Sequence, residues 1–271
     1  MPVRFSTRCP NSDYLGFEAS PEAIVAAAKK AEEVGFDAIF VNDHIIVDGS
    51  PRAAPWTNVY DPFVAMSFIA AHTARIGVGV SVLIMPYRNP IATAKSLATI
   101  DRMSGGRLIA GVGAGWNESE FAALGVPFRE RGPRTNEYLR LWQACWSPSK
   151  VSFAGRFFSF SDMHVSPKPV QQPYPPIWIG GTSDAALRRV TVDAGLRNDQ
   201  GPSTDMMLAD RWQGRCNKCA CSLFEQRSRT SRSLDDPCAG AGLVSVGHFP
   251  SPPIAVRDGS GLPDSLLDLG A

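Results

Sequence analysis

The sequence lacks an excess of charge of either sign and has no apolar run of membrane length. Its 271 residues contain 27 Lys and Arg against 26 Asp and Glu, a formal net charge of +1 at pH 7. This balance gives no electrostatic basis for binding nucleic acid or an anionic membrane surface. The N-terminus also lacks a charged region followed by an apolar core. We therefore expect a soluble, cytoplasmic protein with neither nucleic-acid nor membrane partners.

Familiar catalytic and metal-binding patterns are scarce as well. The chain has no serine nucleophile elbow and no phosphate-loop lysine. Cys9 and Cys145 stand apart from four cysteines that crowd near the end, at Cys216, Cys219, Cys221 and Cys238. This cluster permits a zinc-site interpretation, but its spacing is irregular, and one tight triplet is poor evidence for a metal. We predict no metal site.

What the sequence does contain is a repeating order of strand, loop and helix. Strands are predicted at Val3–Thr7, Ala38–Val41, Ile76–Leu83, Leu108–Val112 and Ile177–Ile179. The apolar run at Leu108–Val112 has no polar alternation, which is typical of a strand covered on both faces. Helix starts that pair a capping side chain with a first-turn proline follow at Ser20-Pro21, Asp61-Pro62 and Asn89-Pro90. The alternation predicts parallel strands with helices outside, in either a barrel or an open doubly wound sheet.

A glycine-rich turn follows the strand at Leu108–Val112. In parallel α/β folds ligands bind beyond the carboxyl ends of strands, so Gly113-Ala114-Gly115 has room for a flat cofactor close to its backbone. The glycines do not match the dinucleotide-binding pattern, because Trp116 stands where its last glycine would be. A tight strand-to-helix turn explains these glycines at least as well.

Two further strand ends carry polar groups. Asn42-Asp43-His44 follows the second strand, and such an Asp-His pair is either catalytic or a hydrogen-bonding pair within a loop. Gly180-Gly181-Thr182-Ser183 follows the fifth strand and precedes a helix, an arrangement that suits either an anion site or a plain helix cap.

Aromatic and basic residues near these loops are open to two interpretations. Trp56 and Trp116 lie in loops and could wall a pocket, whereas Trp178 lies in a strand and is expected to pack in the core. The arginine run at Arg129, Arg131 and Arg134 is expected to form a solvated face.

Five long stretches, in order along the chain, resemble the luciferase-like monooxygenase superfamily, specifically its branch that uses the deazaflavin coenzyme F420. They are AEEVGFDAIFVNDH, IGVGVSVLIMPYRNP, LATIDRMSGGRLIAGVGAGW, EFAALGVPFRERGPRTNEYL and KPVQQPYPPIWIGGTSDAALRR. The resemblance covers about residues 3 to 190. It implies an α/β fold of the eight-stranded (β/α)8 TIM-barrel type with an insertion, and a flavin or deazaflavin at the carboxyl ends of the strands.

The resemblance also implies roles for individual residues. Asp43 and His44 would lie near the reactive face of the cofactor ring, where the imidazole moves a proton and the carboxylate orients it. The implied cofactor-binding residues are Ser81, Val82, Gly113, Ala114, Gly115, Gly180, Gly181, Thr182 and Ser183. The first two belong to a bulged strand that often holds a non-proline cis peptide in relatives, the next three lie beside the ring, and the last four meet the phosphate tail.

From these features we expect an oxidoreductase that transfers a hydride between coenzyme F420 and a small organic substrate. One alternative is an FMN-dependent monooxygenase of the same superfamily. Another is a truncated, non-catalytic member. A homodimer is also consistent with the resemblance.

The C-terminal part of the sequence departs from this pattern. Five of eight barrel strands are recognisable, which predicts an incomplete barrel domain at residues 1–190 and an atypical tail at residues 191–271 that is either disordered or frameshifted. Relatives continue near Val190 with a Tyr-Gly turn, and a shifted codon frame of Val190-Thr191-Val192 can encode Tyr-Gly. Such a tail would leave the barrel open, with poor stability, a tendency to associate and weak or no activity.

Overall fold

The computed structural model describes residues 4–13, 18–189, 206–207 and 245–247. The strands assigned within these ranges are β1 (Arg4–Arg8), β2 (Ala38–Val41), β3 (Gly77–Ile84), β4 (Leu108–Gly113), β5 (Val151–Ala154), β6 (Ser159–Met163), β7 (Ile177–Gly180), β8 (Met206–Met207) and β9 (Ser245–Gly247). The α-helices are α1 (Pro21–Glu33), α2 (Pro62–His72), α3 (Pro90–Met103), α4 (Glu118–Ala123), α5 (Arg131–Trp146) and α6 (Asp184–Arg188). Short 3-10 turns lie at Ala54–Trp56, Met85–Tyr87 and Phe128–Glu130.

The main sheet confirms the predicted parallel α/β arrangement. Its order is β8-β7-β4-β3-β2-β1-β9. The five strands predicted from the sequence correspond to β1, β2, β3, β4 and β7, and their ends lie within about one residue of the expected positions. They pair in parallel in the order β1-β2-β3-β4-β7. The two-residue β8 pairs in parallel with β7, and β9 pairs antiparallel with β1. These two strands were not predicted, and the rest of the tail, including the hypothesised frameshift, lies outside the described residues.

Helix starts follow the caps expected from the sequence. Ser20 Oγ accepts a hydrogen bond of 3.1 Å from the amide of Ala23, and Asp61 and Asn89 each accept two amides of the following turn. At the end of α3, Gly105 and Gly106 have φ of +68° and +83°, the left-handed conformation expected there. Local side-chain chemistry therefore sets where the loops begin and end.

The sheet is buried on both faces. The larger apolar cluster lies between the strands and the helices and includes Ile39 and Val41 of β2. The smaller cluster consists only of strand residues, Ala38, Phe40, Ile109 and Trp178. The rings of Phe40 and Trp178 are 5.1 Å apart, which confirms the predicted core position of Trp178. Burial on both faces explains why the central strands β2 and β4 are almost entirely apolar in sequence.

The insertion between α5 and β7 contains a hairpin, in which β5 and β6 pair antiparallel. It is fastened to α5 by Glu137, whose carboxylate accepts hydrogen bonds from the amides of Arg156, Phe157 and Phe158 at 2.7 to 2.9 Å. None of the helices in the described ranges combines the length and apolar character that a membrane crossing requires.

Candidate active site

A cavity of about 560 Å³ lies at the carboxyl ends of the parallel strands. It brings together most of the residues selected from the sequence, namely Asp43, His44, Ser81, Val82, Gly113, Ala114, Gly115, Gly180, Gly181 and Ser183. Thr182 is exposed and is not part of the lining. The four loops that contribute these residues come from different strands, so the sheet alone brings them together.

Val82 fills the space between two glycines of neighbouring strands. A Cβ atom built on Gly113 would lie 2.6 Å from the Val82 side chain, and one built on Gly180 would lie 2.5 Å from it. Both distances are too short for any residue but glycine unless Val82 moves. Val82 lies in the expected bulge of β3, between Val80 and Leu83, and the peptide bond from Ser81 to Val82 is cis. The glycines therefore let the valine back the cavity.

His44 lies in the cavity wall and contacts a carboxylate that the sequence analysis did not select. Its Nδ1 is 2.8 Å from Oε2 of Glu120, and both side chains are buried. The hydroxyl of Tyr87 donates to the same Oε2 at 2.8 Å. The amides of Ile45 and Ile46 donate to Oε1 at 2.7 Å and 3.2 Å. One carboxylate thus holds both the imidazole and the backbone that follows it.

The environment of Glu120 favours its ionised form. Burial raises the pKa of the Glu120 carboxyl, but the hydrogen bonds from His44, Ile45 and Tyr87 outweigh it and hold that pKa below its ordinary value of 4.5. Burial and the adjacent Glu120 carboxylate raise the pKa of Tyr87, so its hydroxyl stays protonated and remains a donor.

Asp43 has a different partner from the one expected. Both nitrogens of the Arg88 guanidinium fork contact its carboxylate at 2.8 Å, and the amide of Ile84 donates to it at 2.8 Å. Burial raises the pKa of Asp43, while Arg88 and the Ile84 amide act in the opposite direction. These donors occupy the Asp43 carboxylate, and the hydrogen bond to the His44 ring comes from Glu120 instead. The expected role of Asp43 beside the cofactor stays a prediction.

Two tryptophans flank the imidazole of His44. The ring centroid of Trp56 is 5.1 Å from that of His44, and the ring of Trp116 meets it edge-on at 5.8 Å. The guanidinium carbon of Arg52 lies 4.1 Å from the ring centroid of Trp116. Both tryptophans line the cavity, as their loop positions allowed.

The lining also contains basic residues. Four arginines line the cavity, Arg8, Arg129, Arg131 and Arg189. Asp43 is the only carboxylate among the described residues of the lining, and it is already paired with Arg88. Arg189 is tied to the start of α5 through Asn136 Oδ1 at 2.6 Å. Arg129 and Arg131 line the cavity, and Arg129 is exposed, so the expected solvated face of this arginine run borders the cavity.

Ser183 has the capping role that the sequence also allowed. Its Oγ accepts a hydrogen bond from the amide of Ala186 at 3.3 Å, which begins α6. The same residue lines the cavity beside Gly181. The φ of Gly181 is +113°, a backbone conformation that favours glycine. A cap and a cavity wall are thus combined in one loop.

Comparison with known proteins gives the chain a family. The model of the luciferase-like monooxygenase family matches residues 1–195. An uncharacterised protein of Mycobacterium tuberculosis is 35% identical over 167 residues, which is 57% of this chain and 59% of that protein. An F420-dependent glucose-6-phosphate dehydrogenase of Amycolatopsis mediterranei is 35% identical over 173 residues, or 59% of this chain and 50% of the relative.

An FMNH(2)-dependent dimethylsulfone monooxygenase of Pseudomonas putida is 37% identical over 132 residues, covering 48% of this chain and 36% of the relative. The chain thus spans between about a third and three fifths of the length of these relatives.

Solved structures support the fold. An F420-dependent secondary alcohol dehydrogenase superposes with a TM-score of 0.59 at 23% identity, covering 73% of this chain and 57% of the other. The F420-dependent tetrahydromethanopterin reductase of Methanopyrus kandleri superposes with a TM-score of 0.57 at 23% identity. The match covers 72% of this chain and 54% of the reductase. The extent of the family match, together with this fold, shows that the chain belongs to the luciferase-like monooxygenase family.

Proposed function

We propose that this chain is an oxidoreductase that binds the deazaflavin coenzyme F420 in the cavity and transfers a hydride between it and a small organic substrate. The observation that carries the proposal is that one cavity of about 560 Å³ is bounded by His44, by the bulge at Val82 and by the glycine loops at Gly113 and Gly180. A flat cofactor needs a wall without bulky side chains, and a proton-transferring group must lie beside the reacting atoms.

The residues present fit such a cofactor. Gly113 of β4 and Gly180 of β7 make room for Val82, which would support the ring system. Gly181 and Ser183 would hold the phosphate, and the positive charge of Arg129, Arg131 and Arg189 favours an anion in the same cavity. When bound, the deazaflavin supplies the acceptor or donor of the hydride.

The chain itself would handle the proton that accompanies hydride transfer. His44 lines the cavity and is held by Glu120, so its imidazole can take a proton from a substrate hydroxyl or return one. Trp56 and Trp116 restrict the space around the imidazole and help to exclude water from it. Asp43 contributes indirectly, because its ion pair with Arg88 secures the loop on which His44 lies.

An FMN-dependent monooxygenase is the second candidate. The similarity to an FMNH(2)-dependent monooxygenase favours it, and the cavity features described above suit FMN as well as F420. The two candidates are separated by titrating the purified chain with each cofactor while absorbance and fluorescence are recorded. Saturable binding of F420 supports the first proposal, and selective binding of FMN supports the second. Binding of neither would support a truncated, non-catalytic member.

The phosphate subsite can be tested with two neighbouring substitutions. Ser183→Asp keeps a capping side chain for α6 but adds a negative charge to the cavity lining. The added carboxylate would repel the phosphate of a bound cofactor, and solvent screens part of that repulsion because Ser183 is exposed. A repulsion of about 1.4 kcal/mol is enough to change an affinity tenfold. We therefore expect cofactor affinity to fall at least tenfold, as measured by fluorescence titration.

Thr182→Asp is the matched control, because Thr182 is exposed like Ser183 but lies outside the lining. It should weaken binding much less than Ser183→Asp. A phosphate-free deazaflavin should bind both variants and the parent equally well. Equal effects of the two substitutions, or an unchanged affinity in Ser183→Asp, would remove the phosphate from this loop.

A further inference from the structure

We propose that Glu120 is a positioning residue that keeps Nδ1 of His44 protonated and leaves Nε2 as the nitrogen that exchanges a proton in the cavity. The inference rests on the proposed function for the role of the proton. The arrangement of the two side chains does not depend on which cofactor binds.

The hydrogen bonds of Glu120 explain why its carboxylate is ionised. Its Oε2 is 2.8 Å from the Tyr87 hydroxyl and 2.8 Å from His44 Nδ1, while Oε1 accepts the amides of Ile45 and Ile46. The amides can only donate, and the Tyr87 hydroxyl donates as well. A carboxylate that accepts several hydrogen bonds is stabilised as the anion. An ionised carboxylate cannot donate, so His44 Nδ1 must supply the proton of their shared hydrogen bond.

Nε2, on the other edge of the His44 ring, is then available to accept a proton. Within the described part of the chain, the contact with Glu120 is the only hydrogen bond that the ring of His44 makes. His44 lines the cavity, whereas Glu120 is almost fully buried and is not among the lining residues. With Nδ1 bonded to this carboxylate, the unprotonated Nε2 is the nitrogen able to accept a proton. When it does, the nearby carboxylate stabilises the imidazolium.

The position of Glu120 is itself fixed by short-range contacts. Asn117 caps α4 by accepting the amides of Ser119 and Glu120 at 3.1 and 3.4 Å, which sets the start of the helix that carries the carboxylate. Because Glu120 also binds the amides of Ile45 and Ile46, it fixes the backbone immediately after His44. The imidazole therefore has a defined orientation as well as a defined tautomer.

The test is nitrogen-15 NMR of the histidine rings in the full chain without cofactor. The chain has four histidines, and the signals lost in His44→Gln identify those of His44. At a pH high enough for the His44 ring to be neutral, we expect the unaltered protein to show a protonated Nδ1 and an unprotonated Nε2. A protonated Nε2 with an unprotonated Nδ1 would overturn the proposal without any further variant.

Glu120→Gln supplies the complementary measurement. The carboxamide oxygen can still accept the amides of Ile45 and Ile46, while its NH2 group donates to Nδ1 of His44 and moves the ring proton to Nε2. We expect this change of tautomer in the NMR spectrum. Glu118→Gln, an exposed change on the same helix, should leave the spectrum as in the parent.

An unchanged His44 tautomer in folded Glu120→Gln would also overturn the proposal. These measurements need no cofactor, so their failure would leave the cofactor titration unaffected. Conversely, absence of cofactor binding would leave the tautomer result standing.

Discussion

Two buried carboxylates beside the cavity, Asp43 and Glu120, each hold a separate partner. Asp43 forms a two-pronged ion pair with Arg88, and Glu120 contacts His44. The chain neighbours Asp43 and His44 therefore depend on different acids. This division is a property of individual residues, and it leads to two tests at that scale.

The first test removes the charge of Asp43. Asp43→Asn would leave the largely buried guanidinium of Arg88 with Asp61 as its remaining ion-pair partner, at 3.2 Å. Breaking a buried ion pair from one side costs about 3 kcal/mol. We expect the free energy of unfolding, measured by urea denaturation, to fall by about that amount.

Asp61→Asn is the control for Asp43→Asn, because it removes the second carboxylate of the same arginine. The Asp61 side chain is 45% exposed, so its loss should cost less than about 1 kcal/mol. Equal losses of unfolding free energy in the two variants would contradict the view that the ion pair of Asp43 is the main support of the loop that carries Asp43 and His44.

The second test concerns the pH dependence that Glu120 gives to stability. Its pKa in the folded chain lies below the ordinary value of 4.5. Its ionised form therefore stabilises the fold fully above the unfolded pKa, and this contribution is lost as the pH falls through the lower, folded pKa. We expect the unfolding free energy of the parent to decrease more steeply with falling pH below about 4.5 than that of Glu120→Gln. Parallel pH curves would show that Glu120 has the same proton affinity in both states.

At the scale of secondary-structure elements, acidic side chains fasten connections by accepting consecutive backbone amides. Glu32 of α1 accepts hydrogen bonds from the amides of residues 74–76, just before β3. Asp101 of α3 accepts hydrogen bonds from the amides of Val170 and Gln171. Glu137 of α5 accepts hydrogen bonds from three amides of the hairpin. These carboxylates meet segments far away in the sequence. They satisfy amides that have no partner in a strand or helix.

A test of this mode of fastening is Glu137→Ala. It removes a buried acceptor of three amides, and hydrogen bonds to a charged group are each worth about 1.5–3 kcal/mol. Because water can reach part of the hairpin after the change, we expect a loss of about 2 kcal/mol in the unfolding free energy. Urea denaturation gives this value, and hydrogen exchange should show faster exchange at Phe157 and Phe158.

Glu33→Ala is the control for the hairpin, since Glu33 forms an ion pair with Lys30 in which both side chains are largely exposed. It should change stability by less than about 1 kcal/mol. A loss in Glu137→Ala no larger than in this control would mean that the hairpin is held mainly by its apolar contacts with α5.

For the whole molecule, the arrangement of the cavity couples cofactor binding to the sheet. The lining comes from the ends of β1, β2, β3, β4 and β7, so a bound cofactor would contact loops from all the parallel strands predicted from the sequence. A ligand that binds only the folded state stabilises it by about 2.7 kcal/mol at a concentration of 100 Kd.

We therefore expect the functional cofactor to raise the melting temperature at that concentration. At roughly 2–4 °C per kcal/mol for a chain of this size, the increase is about 5–10 °C. Differential scanning calorimetry with F420 and with FMN, each at 100 times its measured Kd, gives the result. A cofactor that binds without raising the melting temperature would contact the unfolded state as well, or a site outside this fold.

The sequence by itself determined the elements and their order. Short segments rich in apolar and β-branched residues located the five parallel strands, and caps such as Ser20, Asp61 and Asn89 located the helix starts. Both signals act over a few residues. The motif resemblance correctly indicated the family and selected residues that share the cavity lining. The predicted boundary at residue 190 and the proposed frameshift stay predictions, since that segment lies outside the described residues.

Only the tertiary structure decided which side chains meet. Glu120 is 76 residues from His44, and Arg88 is 45 from Asp43, so no local pattern pairs them. Read locally, Glu120 is an ordinary acidic residue in the first turn of a short helix. Parallel strands bring their carboxyl ends to one edge of the sheet, which joins these distant loops and turns Arg129 and Arg131 toward the cavity. The arrangement of the strands therefore places Glu120 next to His44 and Arg88 next to Asp43.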